Sequence, residues 1–138
     1  MSIINIPVDL HGLIPGRPPV PLGGVLHWDS RVPVEVQLVI THGHNEQTWV
    51  ASRNLITDGQ LGTATVGEGD VRIGPHEEAH LLRIDLSSPA GTASLSVPRL
   101  EVADFLRSTW LVCPPDQEWV AIEAALDAFW APDMDGAS

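Results

Sequence analysis

Apolar and polar positions alternate through most of the first hundred residues. Ile4, Ile6, Val8 and Leu10 alternate with Asn5, Pro7 and Asp9, the two-residue period of a half-buried strand. Pro7 has no N–H to give to a ladder, which assigns this strand an edge position. Residues 15–24, rich in Pro and Gly, are expected to form a loop, and 25–28 open a second strand. Val32, Val34, Val36, Leu38 and Ile40 put five apolar side chains on one face of a third strand. A polar turn follows at 41–45, then a fourth strand over 47–51 carrying Trp49. Residues 52–59 predict a short helical turn ending at Asp58-Gly59. Val71 and Ile73 begin the next strand. Leu82, Ile84 and Leu86 alternate with Arg83 and Asp85, and Ala93, Leu95 and Val97 return after a turn at 87–91, completing a hairpin.

After Pro98 the period changes. Leu100, Ala103, Leu106 and Trp110 recur every three or four residues and predict an amphipathic helix stopped by Pro114-Pro115. Asp116 is placed to cap a second helix with Trp119, Ile122, Leu126, Phe129 and Trp130 along one stripe. The expected fold is therefore α+β: a strand-rich antiparallel sheet or barrel-like body followed by two C-terminal helices. With no internal repeat or linker, 1–131 is expected to be a single domain and 132–138 a flexible tail.

Charge narrows the function classes. The 138 residues carry 18 acids against seven Arg and no Lys, a formal charge of −11. Nucleic-acid binding rests mainly on Lys and Arg neutralising phosphates, so this balance argues against it, and against docking on an anionic membrane. The lone Cys113 permits no internal disulfide, which agrees with a reducing compartment. No apolar run approaches membrane-span length, and the first residues lack the features of a signal peptide. A cytoplasmic location is expected.

His76-Glu-Glu-Ala-His80 matches the H-E-x-x-H zinc signature, with Glu101 downstream as a candidate third ligand. The chemistry requires a helix, where residues four apart share a face. The two-residue period from Leu82 onward favours a hairpin tip instead, and along a strand the two His would stand about 13 Å apart. His42-Gly43-His44 is expected to be a polar turn. Gly67-Glu-Gly69 lacks the Lys of a phosphate loop. No metal, cofactor or catalytic residue is therefore assigned, although a zinc hydrolase using 76–80 stands as an alternative. Of the five Trp, several are needed in the core, because the chain has no Tyr and two Phe, and one or two are candidates for a subunit or partner surface.

Several segments, in order, resemble the SsgA-like cell-division proteins of sporulating actinomycetes. Trp49-Val-Ala-Ser-Arg53-Asn-Leu55-Ile-Thr-Asp-Gly59 is similar to that family's Trp…Ala-Arg-Asp-Leu-Leu…Gly stretch. Gly69-Asp70-Val-Arg72-Ile-Gly-Pro75 is similar to its Gly-Asp-Val-Arg-Val-Trp-Pro, and Leu86-Ser87-Ser88-Pro89-Ala-Gly91-Thr-Ala93 to its Leu-Ser-Ser-Pro-x-Gly-x-Ala. Phe105-Leu106, Thr109 and Pro114-Pro115 follow at the family's spacing, so the likeness spans roughly residues 25 to 118. Asn54 and Gly74 depart from it, at positions where the family has Asp and Trp, and the loop between Gly59 and Gly69 is slightly longer. The resemblance implies a non-enzymatic septation factor that acts by protein–protein interaction at division septa and helps to recruit the tubulin-like FtsZ. It also implies a fold similar to Whirly proteins and assembly as a homo-trimer. Fold analogy alone supplies a second reading, a single-stranded nucleic-acid-binding module, which the charge opposes.

Overall fold

The computed structural model describes residues 1–67, 69–120, 123–124 and 126–127. Its body is one antiparallel sheet of seven strands in the order β4-β3-β2-β1-β7-β6-β5. The strands are β1 (Ile3–Leu13), β2 (Val20–Asp29), β3 (Glu35–His42), β4 (Asn45–Ser52), β5 (Val71–Pro75), β6 (Leu81–Ser88) and β7 (Gly91–Pro98). Helix α1 (Arg53–Leu61) connects β4 to β5, and α2 (Arg99–Val112) follows β7. A single 3-10 turn, Pro115–Gln117, leads to helical backbone at 118–120, 123–124 and 126–127. The sheet curls into a half-barrel around one apolar core. Side chains from both of its ends, Trp49 and Ala51 on β4 and Val71 and Ile73 on β5, line the same small central cavity. Ile56 of α1 and Val102, Phe105 and Leu106 of α2 are buried in that core beside Leu10, Trp28 and Val36.

The alternating strands are where their periodicity puts them, with three differences, and the helices add two more. The first strand is not an edge in strand order: β1 lies between β2 and β7. Pro7 nevertheless keeps an edge environment, because β7 meets β1 only at His11, Gly12 and Leu13. Beyond that point β7 has ended at Pro98, and the N–H of Asp9 donates to the Glu101 carboxylate of α2 at 2.9 Å. The second strand begins five residues earlier than expected, because Gly23 and Gly24 do not break it. A Cβ on Gly24 would stand 3.0 Å from Leu10 Cβ and Val8 Cγ2, and one on Gly23 2.0 Å from Thr41 Oγ1. These glycines mark close approach of neighbouring strands.

The third strand starts at Glu35, so Val32 and Val34 lie in the preceding turn and are exposed. Pro33 removes a donor there, and its carbonyl accepts from Trp28 Nε1 at 3.0 Å, committing the segment to a turn. In α2 the buried stripe is Val102, Phe105, Leu106 and Thr109, whereas Leu100 is 75% exposed. Two apolar stripes overlap on this helix, and the one that carries Phe105 faces the core, while Trp110 of the other is partly buried at its edge. On the following helical segment Trp119 and Leu126 are exposed, because Glu118 is the residue turned inward. Ile122, Phe129 and Trp130 of the expected stripe, and the tail 132–138, lie outside the described residues.

Candidate partner-binding groove

Most of the residues singled out from sequence fall into two groups, one in the core and one at the open end of the sheet. Arg53 belongs to the core. Ser52 caps α1, its hydroxyl accepting from the Leu55 N–H at 3.0 Å, and Arg53 is the first helical residue. Its guanidinium is fully buried and fully engaged. Nε and Nη2 donate to Glu118 Oε1 at 2.9 and 2.6 Å, and Nη1 donates to the Cys113 carbonyl at 2.8 Å and to Thr109 Oγ1 at 3.4 Å. Its Cζ lies 5.6 Å from the centroid of the Trp28 ring. Burying a charge is costly unless it is paired and hydrogen-bonded, and this one is both. Arg53 thus joins α1, the end of α2 and the start of the C-terminal segment. Phe105 and Leu106 are core residues packed under the same sheet. Sequence periodicity gave no sign of Glu118, which lies on no apolar stripe, and Thr109 was visible only through the family's spacing.

The second group meets at the mouth of the half-barrel. Ser87, Ser88, Pro89 and Gly91 form the β6–β7 hairpin turn, in which the Ser88 hydroxyl accepts from the Ala90 N–H at 3.2 Å. Gly91 has φ +143°, a conformation that favours glycine. The Asp70 carbonyl accepts from the Ser87 N–H at 2.8 Å, tying the 69–72 segment to this hairpin. Across the mouth stands Trp49 of β4, half-buried, its Nε1 directed at Gln47 Oε1 at 3.4 Å. Trp49, Gln47, Ser88, Ala90 and Gly91 line an open groove of about 210 Å³. Two signature segments some forty residues apart, Trp49 and 88–91, are thereby brought face to face. Arg72 and Pro75 are exposed on β5 and stand apart from the groove.

Position 74 joins two of the sequence departures into one feature. Val66 pairs with Ile73 through reciprocal backbone hydrogen bonds of 2.8 and 3.0 Å, so the longer 62–67 loop runs beside β5. A Cβ on Gly74 would lie 2.6 Å from Thr65 Cα. The loop thus fills the space that a side chain at 74 would need.

The H-E-x-x-H segment is the β5–β6 connection, as its continuation into a strand implies, and it is not helical. His76 Nδ1 accepts from the Glu78 N–H at 3.0 Å, and His80 Nε2 lies 3.5 Å from Glu78. Without a helix the two imidazoles lack the shared face that a zinc hydrolase uses. Among the described residues no group of three potential ligands converges. Arg99 instead ties this connection to α1, donating to the carbonyls of Ala79 and Gln60. No helix among these residues is long and apolar enough to cross a membrane.

Two carboxylates are electrostatically distinctive. Asp29 is lowered to about 2 by the side-chain and backbone hydrogen bonds of Arg31. At Asp85 burial pushes upward, but hydrogen bonds from Ser94 and Arg83 outweigh it and hold the carboxyl below its ordinary value.

A curled seven-strand antiparallel sheet followed by C-terminal helices is the architecture of the SsgA-like proteins. The SsgA-like sporulation-specific cell division protein of Thermobifida fusca matches with a TM-score of 0.83 at 31% identity, covering 96% of each chain. The SsgB structure connected with longitudinal cell division during sporulation of Streptomyces coelicolor matches at 0.80 and 27% identity, covering 87% of this chain and 95% of that one. Residues 23–118 match the family described as Streptomyces sporulation and cell division protein, SsgA. The sporulation-specific cell division protein SsgB of Saccharopolyspora erythraea is 36% identical over 126 residues, 88% of either chain. The chain belongs to the SsgA family of sporulation and cell division proteins.

Proposed function

We propose that this chain is a non-enzymatic septation factor that acts at division septa by binding other proteins, helping to position or recruit FtsZ, and that it works as a homo-trimer. The sporulation-specific cell division relatives support the biological role. The observation that carries the mode of action is the groove, where Trp49 and the 88–91 turn, drawn from separate signature segments, present a half-buried aromatic rim to an incoming chain. Trp is enriched at interface hot spots. Self-association is supported by the unladdered side of β1 and by exposed Ile3, Leu100 and Leu111. With −11 per chain, assembly should strengthen as salt screens repulsion. A fluorescent fusion expressed in a sporulating actinomycete lacking its own copy tests the role. Septal bands and restored septation are expected; a diffuse signal with septation unaffected by the deletion contradicts it.

A further inference from the structure

A second feature lies where β1 ends beside β7, and its apolar part adjoins the groove through Thr92 and Ala93. Ile14-Pro15-Gly16-Arg17 forms a tight turn at the end of β1, with the Arg17 N–H donating to the Ile14 carbonyl at 3.1 Å and Gly16 at φ +75°. Pro then Gly at the two central positions is the signature of a type II turn, so Arg17 is held on a stiff support. Arg17 and Arg83 line one pocket of about 200 Å³ with Ser94 and the Leu13–Pro15 wall.

Arg83 is fixed from below. Its Nε donates to Asp85 Oδ1 at 2.9 Å and its Nη2 to Ser94 Oγ at 3.0 Å, while the Ser94 hydroxyl donates to the same carboxylate at 2.7 Å. These bonds use two of the five guanidinium N–H groups and leave the rest for a ligand. Arg72 faces Asp85 across the β5–β6 ladder and adds a third positive charge on the same face. Other Arg are committed elsewhere: Arg31 to Asp29, Arg53 to Glu118, Arg107 to Asp104. Among the described residues the guanidinium groups of Arg17 and Arg72 make no ion pair. Arg99 also makes no ion pair, but it is held by the carbonyls of Ala79 and Gln60. An adjoining hollow of about 380 Å³ shares Leu13, Ile14, Pro15 and Ser94 with the pocket and is otherwise walled by apolar groups such as Leu22 and Leu95.

We infer that this pair of hollows is a binding site for an acidic segment of a partner protein, in which a side-chain carboxylate sits between Arg17 and Arg83 and a neighbouring aliphatic residue packs on the Leu13–Pro15 wall. Guanidinium forks match carboxylates bidentately, and the apolar hollow supplies the second element of recognition. A short segment with one or two carboxylates fits better than a long polyanionic strand, because Asp85 occupies part of the patch and repulsion by the −11 chain grows with each added anionic group. The inference rests on the protein-binding reading only in requiring a protein partner, and its test is independent of septal localisation.

The probe is a fluorescein-labelled peptide, acetyl-Gly-Glu-Glu-Leu-Val-Gly, followed by fluorescence anisotropy on the full chain, with a control peptide carrying Gln for both Glu. The acidic peptide is expected to bind, weakening as salt rises. Arg17→Gln and Arg83→Gln are each expected to weaken it about tenfold. Arg107→Gln, on the far side of α2, should leave it unchanged. Equal binding of the two peptides, no binding up to about 1 mM, or insensitivity to both Arg variants overturns the proposal. Displacement by inorganic phosphate at matched ionic strength overturns it in favour of a phosphate site. Loss of an oligomer in the Arg variants without peptide binding overturns it in favour of a second copy's carboxylate.

Discussion

Arg53 and Glu118 lie 65 positions apart in the chain and meet through two hydrogen bonds to one carboxylate oxygen, with the guanidinium 1% and the carboxylate 12% exposed. This pair sets where the C-terminal segment leaves α2, because the same guanidinium also holds the Cys113 carbonyl. Removing one partner of a buried ion pair costs about 3–5 kcal/mol, since the other charge is left uncompensated. Arg53→Met is therefore expected to lower unfolding free energy by about that amount. The double variant with Glu118→Leu should recover a large part of the loss. Urea unfolding of the four proteins in the cycle measures both, and a loss below about 1 kcal/mol in the single variant would contradict the structural role.

The burial of α2 gives a second test. Phe105→Ala should cost about 3–5 kcal/mol. Leu100→Ala, on the exposed stripe, should stay within about 0.5 kcal/mol of the parent. Denaturant midpoints of the two variants distinguish the observed stripe from the one that runs through Leu100; equal costs would mean that the helix sits rotated.

Gly74 yields a third. Gly74→Ala places a methyl group against Thr65 and should cost about 1–3 kcal/mol. Thr65→Gly should not rescue it, because the Thr65 Cα itself lies 2.6 Å from the new atom. Thermal unfolding of the single and double variants is the measurement, and full rescue by Thr65→Gly would show that only the side chain conflicts.

The strand pattern was legible because each strand buries one face, and a period of two survives in the sequence wherever that is so. It failed where a local term outweighed the period. Pro33 turned Val32 and Val34 out of a strand, and Gly23-Gly24, which resemble a break, allow close strand packing. In α2 two apolar stripes were available, and periodicity alone could not rank them. The signature segments were visible as sequence, but that Trp49 faces Ser88 and Gly91 follows from the curl of the sheet, which no local pattern encodes. The buried partner of Arg53 was hidden for the same reason: Glu118 resembles any acidic residue near a helix start.

Acid stability carries the mark of Asp29. Its folded value, about 2, lies below the ordinary 3.8, so it contributes stability that is present above the ordinary value and lost as pH falls through the folded one. The Asp29→Asn variant should therefore be less stable than the parent near neutrality, and the difference should shrink between about pH 4 and pH 2. Chemical denaturation across that range checks it. A gap that widens toward low pH would contradict the assignment.

The most direct test of the groove as a protein-binding surface is co-sedimentation of the purified chain with polymerised FtsZ from its host, comparing the parent with Ala90→Arg. Ala90 is exposed at the hairpin turn and lines the groove, so the longer side chain obstructs the groove without disturbing the core. The account predicts that the parent pellets with the polymer and that Ala90→Arg, with an unchanged circular dichroism spectrum and melting temperature, stays in the supernatant. A parent that never co-sediments, or a variant that pellets as the parent does, would contradict it.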